Sequence, residues 1–137
     1  VDKTFFTGVA KKVLKGENKE TQSLSVAFIS PEEIKKLNKK YRRKDNPTDV
    51  LSFEDKPGFE GGVAEIVICP EYITDKSGQS GFLLQLEIAK ALIHGVLHIL
   101  GYDHEISKSE EDRMLKKQDY YLSRVNFNGE KENYNRA

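Results

Sequence analysis

The three histidines of the chain, His94, His98 and His104, all fall within the stretch HGVLHILGYDH. Imidazole suits a divalent transition metal near neutral pH, because its neutral form keeps a nitrogen lone pair. His94 and His98 stand four residues apart, which on a helix puts them on one face, one turn apart. Two rings so placed can meet one ion. His104 cannot join them from a straight continuation of that helix. Gly101 lies between and can take the left-handed backbone conformation, ending the helix and swinging His104 back toward the pair. Unpartnered imidazoles on an otherwise apolar helix would carry a desolvation penalty. The pattern therefore points to one metal ion per chain. Zinc is the first expectation, and nickel or cobalt would suit the same donors. Three nitrogen ligands leave one position open for water, the arrangement of a catalytic zinc site.

The spacing H-x3-H-x5-H, with glycine three residues after the second histidine, is that of the zinc site in metzincin proteases. Those sites carry glutamate directly after the first histidine, as general base. Here that position is Gly95. The spacing of a metal scaffold is present and the protease base is missing.

Helices must position these residues. Phe82, Leu83, Leu86, Ala89, Leu92, Ile93, Val96, Leu97 and Leu100 cover most of one circumference, predicting a buried helix over 82–100 that Gly101 stops. Phe5, Phe6, Val9, Val13 and Leu14 predict an amphipathic helix over 3–15, and alternation predicts a strand over about 22–30. Ser30-Pro31-Glu32-Glu33 reads as a capping box opening a helix with an apolar stripe of Ile34, Leu37 and Tyr41, which Asp45-Asn46-Pro47 ends. Val50–Phe53 reads as a second strand, Gly58 and Gly61-Gly62 as a turn, and Val63–Cys69 as a third strand apolar enough for mid-sheet. Ser107-Lys108-Ser109-Glu110 reads as a second capping box, before a helix carrying Met114, Leu115, Tyr121, Leu122 and Val125. The polar tail from Asn126 reads as frayed. The expected fold is α+β: one domain spanning 1–137, a small mixed sheet packed on helices, with the histidines on a buried central helix.

Composition narrows the function classes. Lys plus Arg and Asp plus Glu are each 22, so the formal net charge is zero and any nucleic-acid affinity must come from a local patch. Cys69, the single cysteine, excludes an internal disulfide framework and suggests a reducing compartment. The N-terminus does not read as a signal peptide, and no membrane span of about 20 apolar residues is expected. A soluble, cytoplasmic protein is the expectation.

Two motifs carry a family resemblance. HGVLHILGYDH is similar to the signature of the YbeY family, bacterial metal-dependent endoribonucleases of ribosomal RNA maturation. A second run agrees: Asn38-Lys39-Lys40-Tyr41-Arg42, then Asp45-Asn46-Pro47-Thr48-Asp49-Val50-Leu51-Ser52-Phe53. It resembles the family's N-x-x-Y-R-x-x-D-x-P-T-D-V-L-S-F. Length and element order also fit, so the resemblance covers nearly the whole chain. Where many members show L-G-D-I before the central helix, this chain has Val63-Ala64-Glu65-Ile66, a carboxylate one methylene longer. The resemblance implies a single-strand-specific endoribonuclease acting in ribosome assembly, with ribosomal RNA and the small ribosomal subunit as partners. The metal would acidify its bound water for attack on a phosphodiester.

Arg42, among Lys35, Lys36, Lys39, Lys40, Arg43 and Lys44, would by itself read as part of a solvated helix face. The resemblance places the family's functional arginine there, and a guanidinium fork suits a phosphate. Arg42 is therefore the expected catalytic phosphate clamp, and the lysines a footprint for RNA backbone. Glu65 and Asp103 are the candidate general bases or histidine-orienting carboxylates, with metal hydroxide alone as the third possibility. Asp103 also reads as a turn cap, and Thr48 and Asp49 as a turn. Cys69 and Met114 read as core, and Tyr102 as lining the site or packing. Two rival functions remain at this point: a zincin-like metallopeptidase, and a non-catalytic, metal-stabilised ribosome-assembly factor.

Overall fold

The computed structural model describes residues 1–54 and 63–127. The expected turn at Gly58 and Gly61-Gly62 lies outside the described residues. The elements are α1 (Lys3–Gly16), β1 (Ser23–Phe28), α2 (Pro31–Arg42), β2 (Val50–Phe53), β3 (Val63–Ile68), α3 (Pro70–Ser77), α4 (Gly81–Ile99) and α5 (Lys108–Ser123). Their starts follow local chemistry. Asp2 accepts from the Phe5 N–H at the start of α1, and Ser30 and Glu33 form a reciprocal capping box on α2. Ser107 accepts from the Glu110 N–H, but the Glu110 carboxylate pairs with Arg113 instead of reaching back. The second expected capping box is thus half formed.

The sheet is mixed, in the order β1-β3-β2, with β1 parallel and β2 antiparallel to β3. Alternation sorts its side chains. Val26, Ile66 and Ser52 lie in one row across the three strands, on the face toward α1 and α4. Ser25, Glu65 and Phe53 lie in the next row, on the opposite face, where Leu51, Val67 and Cys69 pack against Ile34 of α2. The main core joins Phe6, Val9 and Val13 of α1 to Leu92, Ile93, Val96 and Leu97 of α4 and Met114 of α5. Each such side chain, fully buried, contributes roughly 1.5–3 kcal/mol by transfer from water.

α4 is long and apolar enough to cross a membrane, contrary to the expectation from sequence. Here it packs against α1, α3, α5, β2 and β3, and its buried residues lie between Ile88 and Leu97. Three further expectations are corrected. Tyr41 and Leu115 are exposed, at 55% and 43%, so neither belongs to a buried stripe. Of the tail expected to fray from Asn126, only residues 126 and 127 lie within the described residues, and the second of these is not frayed. Phe127 is buried and packs its ring 5.4 Å from Phe5 and 5.3 Å from Phe82, because those two rings leave an apolar notch for it.

Candidate active site

α4 ends in a glycine-capped turn. Gly101 has φ 104°, its N–H donates to the His98 carbonyl, and the Tyr102 N–H donates to the Leu97 carbonyl. This pair of bonds is the Schellman motif, and the positive φ is what closes it. The turn folds the Tyr102 carbonyl back over its own helix, where it accepts from His98 Nδ1–H at 3.2 Å. His94, one turn earlier, donates Nδ1–H to Gln118 Oε1 of α5 at 3.0 Å. Both acceptors are oxygens, so both rings carry their proton on Nδ1 and keep the Nε2 lone pair. A partner on the far ring nitrogen is the usual support of a metal-ligating histidine. Burial lowers the pKa of His94; the Gln118 bond and, more weakly, Asp49 oppose it, while His104 and His98 reinforce it. His94 is thereby held neutral.

His104 follows the turn on its exposed side. Its ring centroid lies 5.2 Å from that of His94, tilted by 58°, while its Nε2 lies 4.0 Å from Glu105 Oε1. Among the described residues, no three His, Cys, Asp or Glu side chains converge closely enough to enclose a metal ion. The donor chemistry nevertheless fits one: two oriented Nε2 lone pairs on a rigid helix, and a third imidazole beside the first.

Arg42 is the last residue of α2 and is exposed; its Nη2 donates to the Ser52 carbonyl of β2 at 3.4 Å. On the other side of the strand, Ser52 Oγ donates to the Gly95 carbonyl at 3.3 Å. Gly95 directly follows His94, so a single strand residue contacts both Arg42 and the histidine helix. A Cβ on Gly95 would lie 3.0 Å from Ser52 Oγ and 3.4 Å from two carbons of Ile66. The helix can approach the sheet this closely only because that position is glycine. The loop between α2 and β2 is pinned from within: buried Asn38 donates to the Asn46 carbonyl and side chain. Asp49 Oδ1 accepts from the Val50 N–H and from Thr48, the turn role expected of both residues.

The remaining candidates separate. Glu65 belongs to the row on the α2 face of the sheet, away from α4, which removes it from direct contact with the histidines. Asp103 accepts from the Glu105 N–H at 2.9 Å and caps the turn. Tyr102 is buried and donates its hydroxyl to Glu17. Cys69 is fully buried and burial pushes its thiol pKa up, while Met114 is core. Sequence reasoning missed Gln118 and Ser52. A buried glutamine on the apolar stripe of α5, between Met114 and Tyr121, was the available signal for the first.

Comparison with known proteins gives the reaction class. The family model described as Endoribonuclease YbeY matches residues 1–126. The chain belongs to the YbeY family. The matched span includes Arg42, His94, His98 and His104. Endoribonuclease YbeY of Bdellovibrio bacteriovorus is 41% identical over 109 residues, 80% of this chain and 71% of that protein. The YbeY protein of a Sulfurihydrogenibium species is 33% identical over 128 residues, covering 91% of this chain and 84% of its own. The solution structure of TM1509 from Thermotoga maritima superposes with a TM-score of 0.60 at 32% identity. That superposition covers 88% of this chain and 78% of the other. The α+β fold described above is thus shared with a solved relative.

Proposed function

We propose that this chain is a metal-dependent, single-strand-specific endoribonuclease that hydrolyses phosphodiester bonds of ribosomal RNA during maturation of the small ribosomal subunit, in the cytoplasm. One observation carries the metal reading. His94 and His98 both donate Nδ1–H to protein oxygens, which reserves both Nε2 atoms. With His104 they make a three-nitrogen donor set for one divalent ion, zinc first. Such an ion would lower the pKa of a bound water from its bulk value to roughly 7. The chain's own groups do the rest. The Tyr102 carbonyl and Gln118 orient the two rings. The guanidinium of Arg42 is spent on one long bond to Ser52 and presents its remaining N–H donors to solvent. Those donors suit the oxygens of a reacting phosphate. The exposed lysines of α2 supply sequence-independent attraction for the backbone.

The peptidase reading is disfavoured by Gly95. A glutamate there would drive its Cβ against Ser52 and Ile66 before its carboxylate reached any water. The test compares cleavage of a single-stranded ribosomal RNA fragment by wild type, His98→Ala and Arg42→Lys after metal reconstitution, with product ends mapped and bound metal measured. Wild type is expected to cleave with near-stoichiometric metal, His98→Ala to lose both, and Arg42→Lys to keep the metal and lose roughly 100-fold in rate. Equal metal content in wild type and His98→Ala would refute the ligand set. Metal binding without RNA cleavage would point to the non-catalytic assembly factor.

A further inference from the structure

Glu17, at the C-terminal cap of α1 and outside both motifs, is the centre of a long-range cluster. Its side chain is 11% exposed. Oε1 accepts from the Tyr102 hydroxyl at 2.6 Å, while Oε2 accepts from Lys117 Nζ at 3.2 Å and from the Tyr121 hydroxyl. Gly16 makes the cluster possible. A Cβ there would lie 2.5 Å from the Tyr121 hydroxyl oxygen, so any other residue would push that phenol away from Glu17. The Tyr102 ring is packed on its face by Arg113, 4.4 Å from the ring centre.

The three donors are placed just where the histidine acceptors are carried. Tyr102 supplies the carbonyl that holds His98. Lys117 adjoins Gln118, and Tyr121 lies one helical turn beyond it, so Glu17 grips α5 on both sides of the amide that holds His94. We propose that Glu17 is a positioning residue for His94 and His98: its carboxylate fixes the Tyr102 carbonyl through the Tyr102 arm at Oε1 and the Gln118 amide through the Lys117 and Tyr121 arm at Oε2, and so sets the orientation and tautomer of both rings. The local energetics agree. Burial alone would raise the Glu17 pKa, but hydrogen bonds from Tyr102, Tyr121 and Lys117 outweigh it and hold the group low, so the carboxylate is ionised and accepts from all three. Tyr102 and Tyr121 are pushed up by burial and by the same bonds, so both phenols keep the protons they donate.

The inference rests on the proposed metal reading only for its effect on metal affinity; the ring tautomers exist without metal. The experiment therefore has two readouts. Tautomers of His94 and His98 are measured by long-range proton–nitrogen NMR on metal-free protein at about pH 8, above the ordinary histidine pKa. Cobalt(II) affinity is measured by its visible absorption. Tyr102→Phe cuts one arm and should relax His98 toward the Nε2–H form that free imidazole prefers, with His94 unchanged. Tyr121→Phe combined with Lys117→Met cuts the other arm and should relax His94 alone. Glu17→Ala should relax both. Cobalt binding should weaken by about 10-fold for each arm and toward 100-fold for Glu17→Ala, the range typical of lost outer partners. A merely structural glutamate would give a different pattern: melting temperature falls, and the two rings either stay Nδ1–H or shift together in every variant. Either result overturns the proposal. If Glu17→Ala does not fold, the two single-arm variants decide. If wild type takes up no cobalt, the metal reading fails, and the tautomer split still decides the role of Glu17.

Discussion

Gly95→Ala tests how closely the histidine helix must approach the sheet. In an exposed helix this change would stabilise by about 1 kcal/mol, since alanine loses less backbone entropy. Here the new methyl would meet Ser52 Oγ at 3.0 Å and Ile66 at 3.4 Å. Crowding of this kind in a packed core costs roughly 1–3 kcal/mol. Relief by turning Ser52 away would instead break its bond to the Gly95 carbonyl, a loss of about 1 kcal/mol in place of the tightest crowding. The net expectation is a destabilisation of up to about 2 kcal/mol, or a fall of up to roughly 6 °C in melting temperature for a chain of this size. The double variant Gly95→Ala/Ser52→Ala removes the hydroxyl and so the tightest contact. It should be as stable as Ser52→Ala alone or better, giving a coupling energy on the order of 1–3 kcal/mol between the two sites. The assay is reversible thermal or urea unfolding of the four proteins in the cycle. A higher melting temperature for Gly95→Ala than for wild type would refute the reasoning, as would additive effects in the double variant.

A Cβ at Gly101 would meet nothing within 4 Å, so the penalty expected of Gly101→Val is the strain of φ 104°. That strain is at least about 1 kcal/mol, and cobalt or zinc affinity should fall with it although no ligand is changed; unchanged affinity would count against the turn's role. Arg43→Ala should cleave RNA at the wild-type rate when Arg42→Lys does not, because Arg43 lies past the helix end in a left-handed cap rather than against Ser52; equal impairment would make the run a diffuse basic patch. Asn38→Ala should destabilise by about 1–3 kcal/mol, read by urea unfolding, because its two bonds to Asn46 are lost from a buried site. The Glu17 cluster should impose a pH window on stability. The folded carboxyl lies below its ordinary value, so its contribution is complete above about pH 4.3 and is lost as pH falls through the lower folded value. Tyr102, Tyr121 and Lys117 are all raised, so theirs is complete below about pH 10 and is lost as pH rises through their folded values. The melting-temperature gap between wild type and Glu17→Gln should therefore close at both ends of the scale; a gap independent of pH would contradict it.

The parts of the site that were legible in the sequence are those set by short-range geometry. The four-residue spacing of His94 and His98 and the stop at Gly101 follow from helix period and glycine's backbone freedom, and α4 and its turn realise both. The parts that were illegible depend on contacts far apart in the chain. Glu17 meets residues 85 to 104 positions away, and nothing local marks it. Gln118 meets His94 from another helix, and only its place on an apolar stripe sets it apart. α3 escaped notice because a helix of eight residues burying only Ile73 leaves almost no periodic signal. Tyr41 and Leu115 fit helical spacing yet face solvent, since spacing names a stripe without saying that a partner element covers its ends. Glu65 drew attention as the carboxylate on the strand before the histidine helix, where the family resemblance places one, but strand alternation, read with the register of β3, puts it on the other face.

Ser52 gives the arrangement its coherence. Arg42 sits at the end of a lysine-rich helix that offers no rigid reference for a catalytic group, because its neighbours are solvated. The guanidinium is instead referenced to the main chain of β2, through the Ser52 carbonyl. The same residue's hydroxyl holds the Gly95 carbonyl, one position from His94. On the function proposed above, Arg42 and His94 would have to keep a fixed separation to act on one phosphodiester, since a displacement of about 1 Å can lower a rate by about two orders of magnitude. A strand hydrogen-bonded to β3 provides that fixity where a helix end cannot. The main-chain half of the bridge survives Ser52→Ala and the side-chain half does not. Loss of the hydroxyl should therefore loosen the histidine helix against the sheet while leaving Arg42 in place.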